Sequence, residues 1–412
     1  MEKKNKILIS AFLAIIFLPF IVMLCTPGSE YLPNEGRMSN VPDDVYIKGY
    51  GINRASAESF INDNIGFRSF STLADIAIKY ELFRYYSPHH IIQGKDGQDF
   101  HTSFNKGYSD QVQPFDPLIE EQYIAAKDRL VDVNDWFNKK DIQFLFVTIP
   151  EKQSIYPEFY PDTVLVSAAD ARLEKFALRV GDETNIDVLD LSAELRNAKD
   201  PDEMLYNIAF DPAHWNLRGA YVGYSAVMSQ LKQEKPMLYV LSESDLDISK
   251  RVESVTTADG IYTLPGRVEF IYDYSIKNPN ASTVELKHYD NEHTDVIMND
   301  SIIDILVNDG YSDIILHYKN PSQSGKLLLV GDSFFYQFLL PFFAESYGEV
   351  LFVSAIWDWR YIRTATELFD PDTVVYEICA MNFRGSHLTL PHLEGLKNAT
   401  DENLVTEFLY QE

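Results

Sequence analysis

Residues 327–330 read Leu-Leu-Leu-Val, and the run passes directly into Gly331-Asp332-Ser333. A strand with one wet face would alternate apolar and polar residues. Four apolar residues in succession therefore predict a strand buried on both faces. Such burial needs helices on either side, which is the layout of a parallel α/β sheet. The flanking pattern agrees. Pro117 to Lys139 reads as a long amphipathic helix, Phe144 to Ile149 as a buried strand stopped by Pro150, and Ala168 to Val180 as a helix. A short strand at Ile186–Leu189 and a helix at Leu217–Leu231 follow. Beyond Ser333 the spacing predicts a helix over Phe335–Tyr347, a strand over Val350–Ser354, a helix over Tyr361–Leu368 and a strand over Thr373–Ile378. Apolar residues make up 46% of the chain, enough to build a large core and too many for a disordered one.

Gly331-Asp332-Ser333 places a hydroxyl at the carboxyl end of a parallel strand, where open α/β sheets carry their ligand sites. The following helix offers N–H groups close to Ser333 Oγ that can hold an oxyanion. Alternatively, Ser333 is only a helix cap. A serine nucleophile needs a base. One stands in the segment Asp211-Pro212-Ala213-His214-Trp215, just ahead of a helix that begins near Arg218. The three-residue spacing lets the Asp211 carboxylate turn back onto Nδ1 of His214 and leave Nε2 free for Ser333. Alone, Asp211 could cap the turn and His214 could be a satisfied core histidine. The two segments together favour catalysis.

At the N-terminus, Lys3, Lys4 and Lys6 precede an apolar run from Ile7 to Leu24 broken only by Ser10 and Pro19. That length just crosses a hydrocarbon core, and the lysines favour the cytoplasmic side. The expectation is an uncleaved single-pass anchor with the remainder outside. The competing reading is a signal peptide cleaved to leave a secreted or periplasmic protein. Five segments are expected: the anchor or signal over 1–27, a linker and packing helices over 28–85, a first core part over 86–236, a β-rich insertion over 237–325 and a second core part over 326–412. The insertion is set apart by turn signals such as Asp259-Gly260, Pro265-Gly266 and Asn278-Pro279-Asn280, and several antiparallel strands are expected in it.

Two cysteines, one of them Cys25 beside the apolar run, exclude a disulfide framework. A formal charge of −27 disfavours nucleic acid as a partner. The pairs His89-His90, His288 with His293 and His387 with His392 match no zinc spacing. No metal and no cofactor is expected.

Asp-x-x-His and Gly-Asp-Ser are the two ends of the SGNH/GDSL hydrolase pattern. Here the Ser block follows the His block. That permuted order resembles the alginate O-acetyltransferase group of SGNH-like proteins and its DHHW relatives. Further likeness lies in Asn64-Ile65-Gly66-Phe67-Arg68, in Gly94-Lys95-Asp96-Gly97, in Ile149-Pro150-Glu151-Lys152 and in Tyr376-Glu377 with Asn382-Phe383. The resemblance implies an SGNH-like parallel sheet, with Ser333 as nucleophile, His214 as base and Asp211 as orienting carboxylate. Gly331, Asp332, Trp215, Arg218 and Asn382 are the candidates for oxyanion or substrate contact. It further implies acetyl transfer to hydroxyls of an extracytoplasmic polysaccharide, with a multi-pass membrane acyltransferase as donor partner. The alternatives are a carbohydrate acetyl esterase and a non-catalytic polysaccharide-binding component of an export complex. Lys95 and Lys152 are expected to be structural or surface residues.

Overall fold

The computed structural model describes residues 2–25, 31–32, 37–39, 46–47, 51–83, 91–101, 118–161, 172–209, 211–256, 262–288, 314–354, 359–383 and 385–396. Most of the expected linker over 28–45 lies outside them, as do His89, His90 and His293. The chain divides into two compact units, residues 1–89 with 254–267 and the remainder.

The first unit contains helix α1 (Glu2–Cys25), with Pro19 inside it, α2 (Arg54–Asn64) and α3 (Arg68–Phe83). Asn53 starts α2 because its side-chain oxygen accepts from the N–H groups of Ala55 and Ser56 at 3.2 and 3.4 Å.

The second unit opens with a hairpin of β1 (Ile91–Gln93) and β2 (Asp99–His101), joined by the Gly-Lys-Asp-Gly turn. There Asp96 and Gly97 both adopt positive φ, 55° and 78°. Helix α4 (Glu120–Asn138), strand β3 (Gln143–Ile149), helix α5 (Arg172–Glu183), strand β4 (Asp187–Asp190) and helix α6 (Leu217–Glu234) follow. Next come β5 (Leu246–Thr256) and β6 (Thr263–Ile276), which pair as a separate two-stranded sheet, then β7 (Ser282–His288) and β8 (Ile314–Lys319). The last stretch is β9 (Lys326–Val330), α7 (Ser333–Phe338), α8 (Leu340–Ser346), β10 (Glu349–Val353), α9 (Trp359–Phe369) and β11 (Thr373–Cys379).

One seven-stranded sheet runs β7-β8-β10-β9-β11-β3-β4. The five strands from β10 to β4 are parallel, and β8 and β7 are added antiparallel at one edge. The fold is α/β, a parallel sheet flanked by helices. The apolar run of β9 explains itself by side-chain alternation. Leu327 and Leu329 face one side, in a cluster with Val147, Phe352, Tyr224 and Met228 of α6, and Phe343 of α8. Leu328 and Val330 face the other, with Phe146, Leu130 of α4, Phe176 of α5 and Ala365 of α9.

Two expectations change. The helix expected over 335–347 is two, α7 and α8, with Pro341 in the first turn of the second. Proline has no N–H for the preceding turn and disfavours helical geometry in the residue before it, so the break falls there. The β-rich segment is also not wholly an insertion, because β7 and β8 extend the central sheet.

Candidate active site

Strand β9 ends at Val330, which pairs with Tyr376 of β11 and Val353 of β10. The chain then turns through Gly331 and Asp332 into α7, of which Ser333 is the first residue. Three donors converge on the Asp332 carboxylate: Phe334 N–H at 3.0 Å, Asn382 Nδ2 at 2.7 Å and Cys379 N–H at 3.3 Å. The N–H of Asp332 in turn donates to Glu377 Oε2 at 2.9 Å. A Cβ on Gly331 would stand 2.5 Å from that same oxygen, so the turn admits glycine alone. Burial pushes the Glu377 carboxyl well above the usual carboxylate range, and the Asp332 charge adds to the push. Burial disfavours the charged form, so the shift favours the protonated acid at Glu377.

The second half of the site lies in the irregular stretch before α6. Tyr206 and Trp215 form an antiparallel bridge, and Asn216 caps α6 by accepting from Gly219 N–H at 3.0 Å. Between them the chain loops out, with Asn207 N–H donating to the His214 carbonyl and His214 N–H to the Asp211 carbonyl, each at 3.4 Å. The Asp211 carboxylate meets His214 Nδ1 at 2.8 and 3.0 Å, and His214 Nε2 stands 2.7 Å from Ser333 Oγ. An ionised carboxylate only accepts, so Nδ1 carries the proton and Nε2 accepts from the serine hydroxyl. Burial pushes the Asp211 carboxyl up, but the hydrogen bond and charge of His214 and the N–H groups of Ala213 and His214 outweigh it, and the net shift is downward. The imidazole packs against the rings of Phe334 and Phe338, at 4.8 and 5.9 Å.

The remaining sequence candidates stand elsewhere. Trp215 is fully buried, its indole N–H donating to the Phe334 carbonyl at 3.2 Å, so it backs the site and cannot touch a substrate. Arg218 binds the Glu203 and Ala198 carbonyls and the Glu203 carboxylate. Gly331 donates its N–H to Val353 O at 3.4 Å, which leaves it no donor for an oxyanion. Asn382 and Asp332 hold the turn rather than the reacting atoms.

Two further residues support the site. Lys152 is 1% exposed. Its ammonium donates to the carbonyls of Asp99, Asn207 and Ile208 at 2.8, 2.6 and 3.0 Å, pinning the stretch that leads to Asp211. Burial pushes it down to about 7, against the pull of Asp99, Glu269 and Asp211. Glu269 closes the same clamp by accepting from Ile208 N–H at 2.6 Å. Lys152, expected to be structural or at the surface, is structural and buried, whereas Glu377 carried no role of its own in the sequence reading. The signal available was a charged residue directly after, or inside, a buried apolar strand. Among the described residues no group of three His, Cys, Asp or Glu side chains is placed to hold a metal ion.

Residues 110–257, about a third of the chain, match the family model of the SGNH hydrolase-like domain of acetyltransferase AlgX, and the matched stretch includes Asp211 and His214. Solved structures share the fold. PatB1 of Bacillus cereus superposes with a TM-score of 0.52 at 16% identity, covering 73% of this chain and 99% of that one. PatB1 with a sulfonyl adduct gives 0.50, also at 16% identity and with 73% and 99% covered. The O-acetyltransferase domain of Pseudomonas putida AlgJ gives 0.45 at 14% identity, with 75% and 99% covered. No curated protein sequence matches the chain.

Proposed function

We propose that this protein is a serine-dependent O-acetyltransferase that acetylates hydroxyls of an extracytoplasmic polysaccharide. The observation that supports the reading is the 2.7 Å contact between His214 Nε2 and Ser333 Oγ, with Asp211 on the opposite ring nitrogen. Ser333 Oγ attacks the carbonyl carbon of the acetyl donor while its proton passes to His214 Nε2. Asp211 stabilises the imidazolium. The N–H of Ser333, in the first turn of α7 and without an intrahelical acceptor, holds the oxyanion with a neighbouring donor. The imidazolium proton leaves with the donor group, and acetyl-Ser333 remains. A sugar hydroxyl then gives its proton to His214 and attacks the acetyl carbonyl. Ser333 takes the proton back as it departs.

The helix α1 carries 22 residues long and apolar enough to cross a membrane. We read it as an uncleaved anchor with the lysines inside and the catalytic unit outside. In that position the donor is a multi-pass membrane acyltransferase that delivers acetyl groups outward.

The test is turnover of an activated acetyl ester by the full-length purified chain, with and without oligosaccharide acceptors. Acetylated oligosaccharide formed by the native chain and not by Ser333→Ala is the expected result. Acetate released without any acceptor product would replace the transferase by an esterase. Turnover that survives Ser333→Ala would overturn the assignment. An aryl sulfonyl fluoride should add one sulfonyl group at Ser333, located by peptide mass.

A further inference from the structure

The motif Asn64-Ile65-Gly66-Phe67-Arg68 takes no part in the chemistry above. It forms the bend between α2 and α3, and its position suggests another task. The N–H of Gly66 donates to the carbonyl of Pro19, in the last third of α1, at 3.0 Å. A Cβ on Gly66 would lie 2.5 Å from both Pro19 O and Val22 Cβ, so the close approach demands glycine. Next to it Phe67 adopts φ 65° and leaves its ring 47% exposed.

Depth along α1 follows from helix geometry. Pro19 lies six residues before Cys25, or about 9 Å inside the outer end of the helix at a rise of about 1.5 Å per residue. If α1 spans a hydrocarbon core of about 30 Å, the bend at Gly66 sits within the outer leaflet. Backbone donors at that depth need protein acceptors. Gly66 N–H has Pro19 O, Arg68 N–H has Ile65 O at 3.2 Å, and Ser71 N–H has Phe67 O at 2.8 Å.

Helix α3 continues from this bend with three distinct sides. Ile76 and Tyr80 are buried, and Asp75 and Lys79 form an ion pair at 2.6 Å. On the remaining side Phe70, Ala74, Ile78 and Leu82 recur every fourth residue, with Phe70, Ile78 and Leu82 exposed by 71%, 53% and 72%. The side is apolar except for Glu81, whose carboxylate accepts from Tyr262 OH at 2.5 Å, and an exposed apolar surface of this kind marks an interaction surface. It runs on from a bend already in contact with a membrane-spanning helix.

We propose that the α2–α3 hairpin is a second membrane element, whose bend enters the outer leaflet and whose Phe70–Ile78–Leu82 stripe rests on lipid. The proposal relies on α1 as an uncleaved anchor, and its test separates the two. The full-length chain with Cys25→Ser leaves only Cys379, which is buried. Single cysteines are added by Phe70→Cys, Ile78→Cys or Leu82→Cys on the stripe, Asp75→Cys on the polar side and Ile15→Cys in α1. Each carries a nitroxide in vesicles of equal parts phosphatidylcholine and phosphatidylglycerol.

The stripe labels should be severalfold more accessible to oxygen than to a water-soluble nickel chelate, as at Ile15, with the ratio reversed at Asp75. Stripe labels as open to the chelate as Asp75, with Ile15 still in lipid, overturn the hairpin and leave the anchor standing. Stripe labels shielded from both probes mean that another protein surface covers the stripe, and also overturn it. Chelate access at Ile15 removes the anchor, and the hairpin proposal falls with it.

Discussion

The two halves of the His214–Ser333 contact are held in different ways. Ser333 sits in a turn fastened to the sheet. Its neighbour Asp332 is bound by Cys379 N–H and Asn382, and donates to Glu377, all from β11 or the turn just after it. His214 sits in a loop with no strand beside it. It is held by side chains reaching in from distant segments: Tyr156 OH on Leu205 N–H, Tyr206 OH on the Pro150 carbonyl, and the Lys152 and Glu269 clamp on residues 207 and 208. Both halves rely on buried polar side chains, but those of the serine turn come from the neighbouring strand and its end, and those of the His214 loop from several separate segments. A buried ammonium is the costlier fixing, because removing it takes a donor from every acceptor it served.

The largest expected effect tests the contact itself. Ser333→Ala or His214→Ala should lower acetyl-ester turnover by about a thousandfold or more, and the double variant should be no worse than either single one, because the pair acts as a unit. Thermal melts should shift little. The next separates the two halves. Lys152→Met removes the ammonium from three carbonyls, of which Ile208 keeps the Asp99 N–H, and the loss of folding stability should be about 2–4 kcal/mol by urea denaturation. Asp332→Asn keeps one acceptor oxygen and turns an amide NH2 toward existing donors, so about 1–2 kcal/mol is expected there. Equal losses would mean that the base loop is no more fragile than the serine turn.

A pH series sharpens the same point. The Lys152 ammonium is held down to about 7 in the fold and titrates near 10.4 when unfolded. Between those values the unfolded chain binds more protons. Stability should therefore rise with pH from about 7 toward 9, and the Lys152→Met variant should lose that slope. The rise is best read below the range where buried tyrosines titrate, since burial raises Tyr156 to about 12 and so makes the fold lose stability at higher pH. Asp211 acts at the other end. Its lowered value makes its contribution full above the ordinary carboxylate range and lost as pH falls through the folded value. The smallest effect belongs to Glu377→Gln. An amide of the same shape keeps an oxygen to accept from Asp332 N–H, so stability should change by less than about 1 kcal/mol, measured as the shift in urea midpoint.

The core strands were legible because β3, β9, β10 and β11 are apolar on both faces, which no other element imitates. That Asp211, His214 and Ser333 come together was legible because they stand in two short local patterns. The addition of β7 and β8 to the sheet was not, since alternation identifies a strand but not its partner. Trp215 was misjudged because it adjoins His214. At the bridge with Tyr206 neighbouring side chains point to opposite sides, so the histidine faces the serine and the indole faces the core. The burial of Lys152 and Glu377 was not legible for a physical reason: a charged side chain reads as solvated until tertiary packing removes the water.

The fastening of the serine turn to β11 also has a temporal side. A ribosome delivers a chain in order, so Asp211 and His214 emerge well before Ser333, and Ser333 before Glu377, Cys379 and Asn382. Until that last strand docks, the Asp332 carboxylate lacks its Cys379 and Asn382 donors. The serine turn therefore reaches its final shape only late in synthesis.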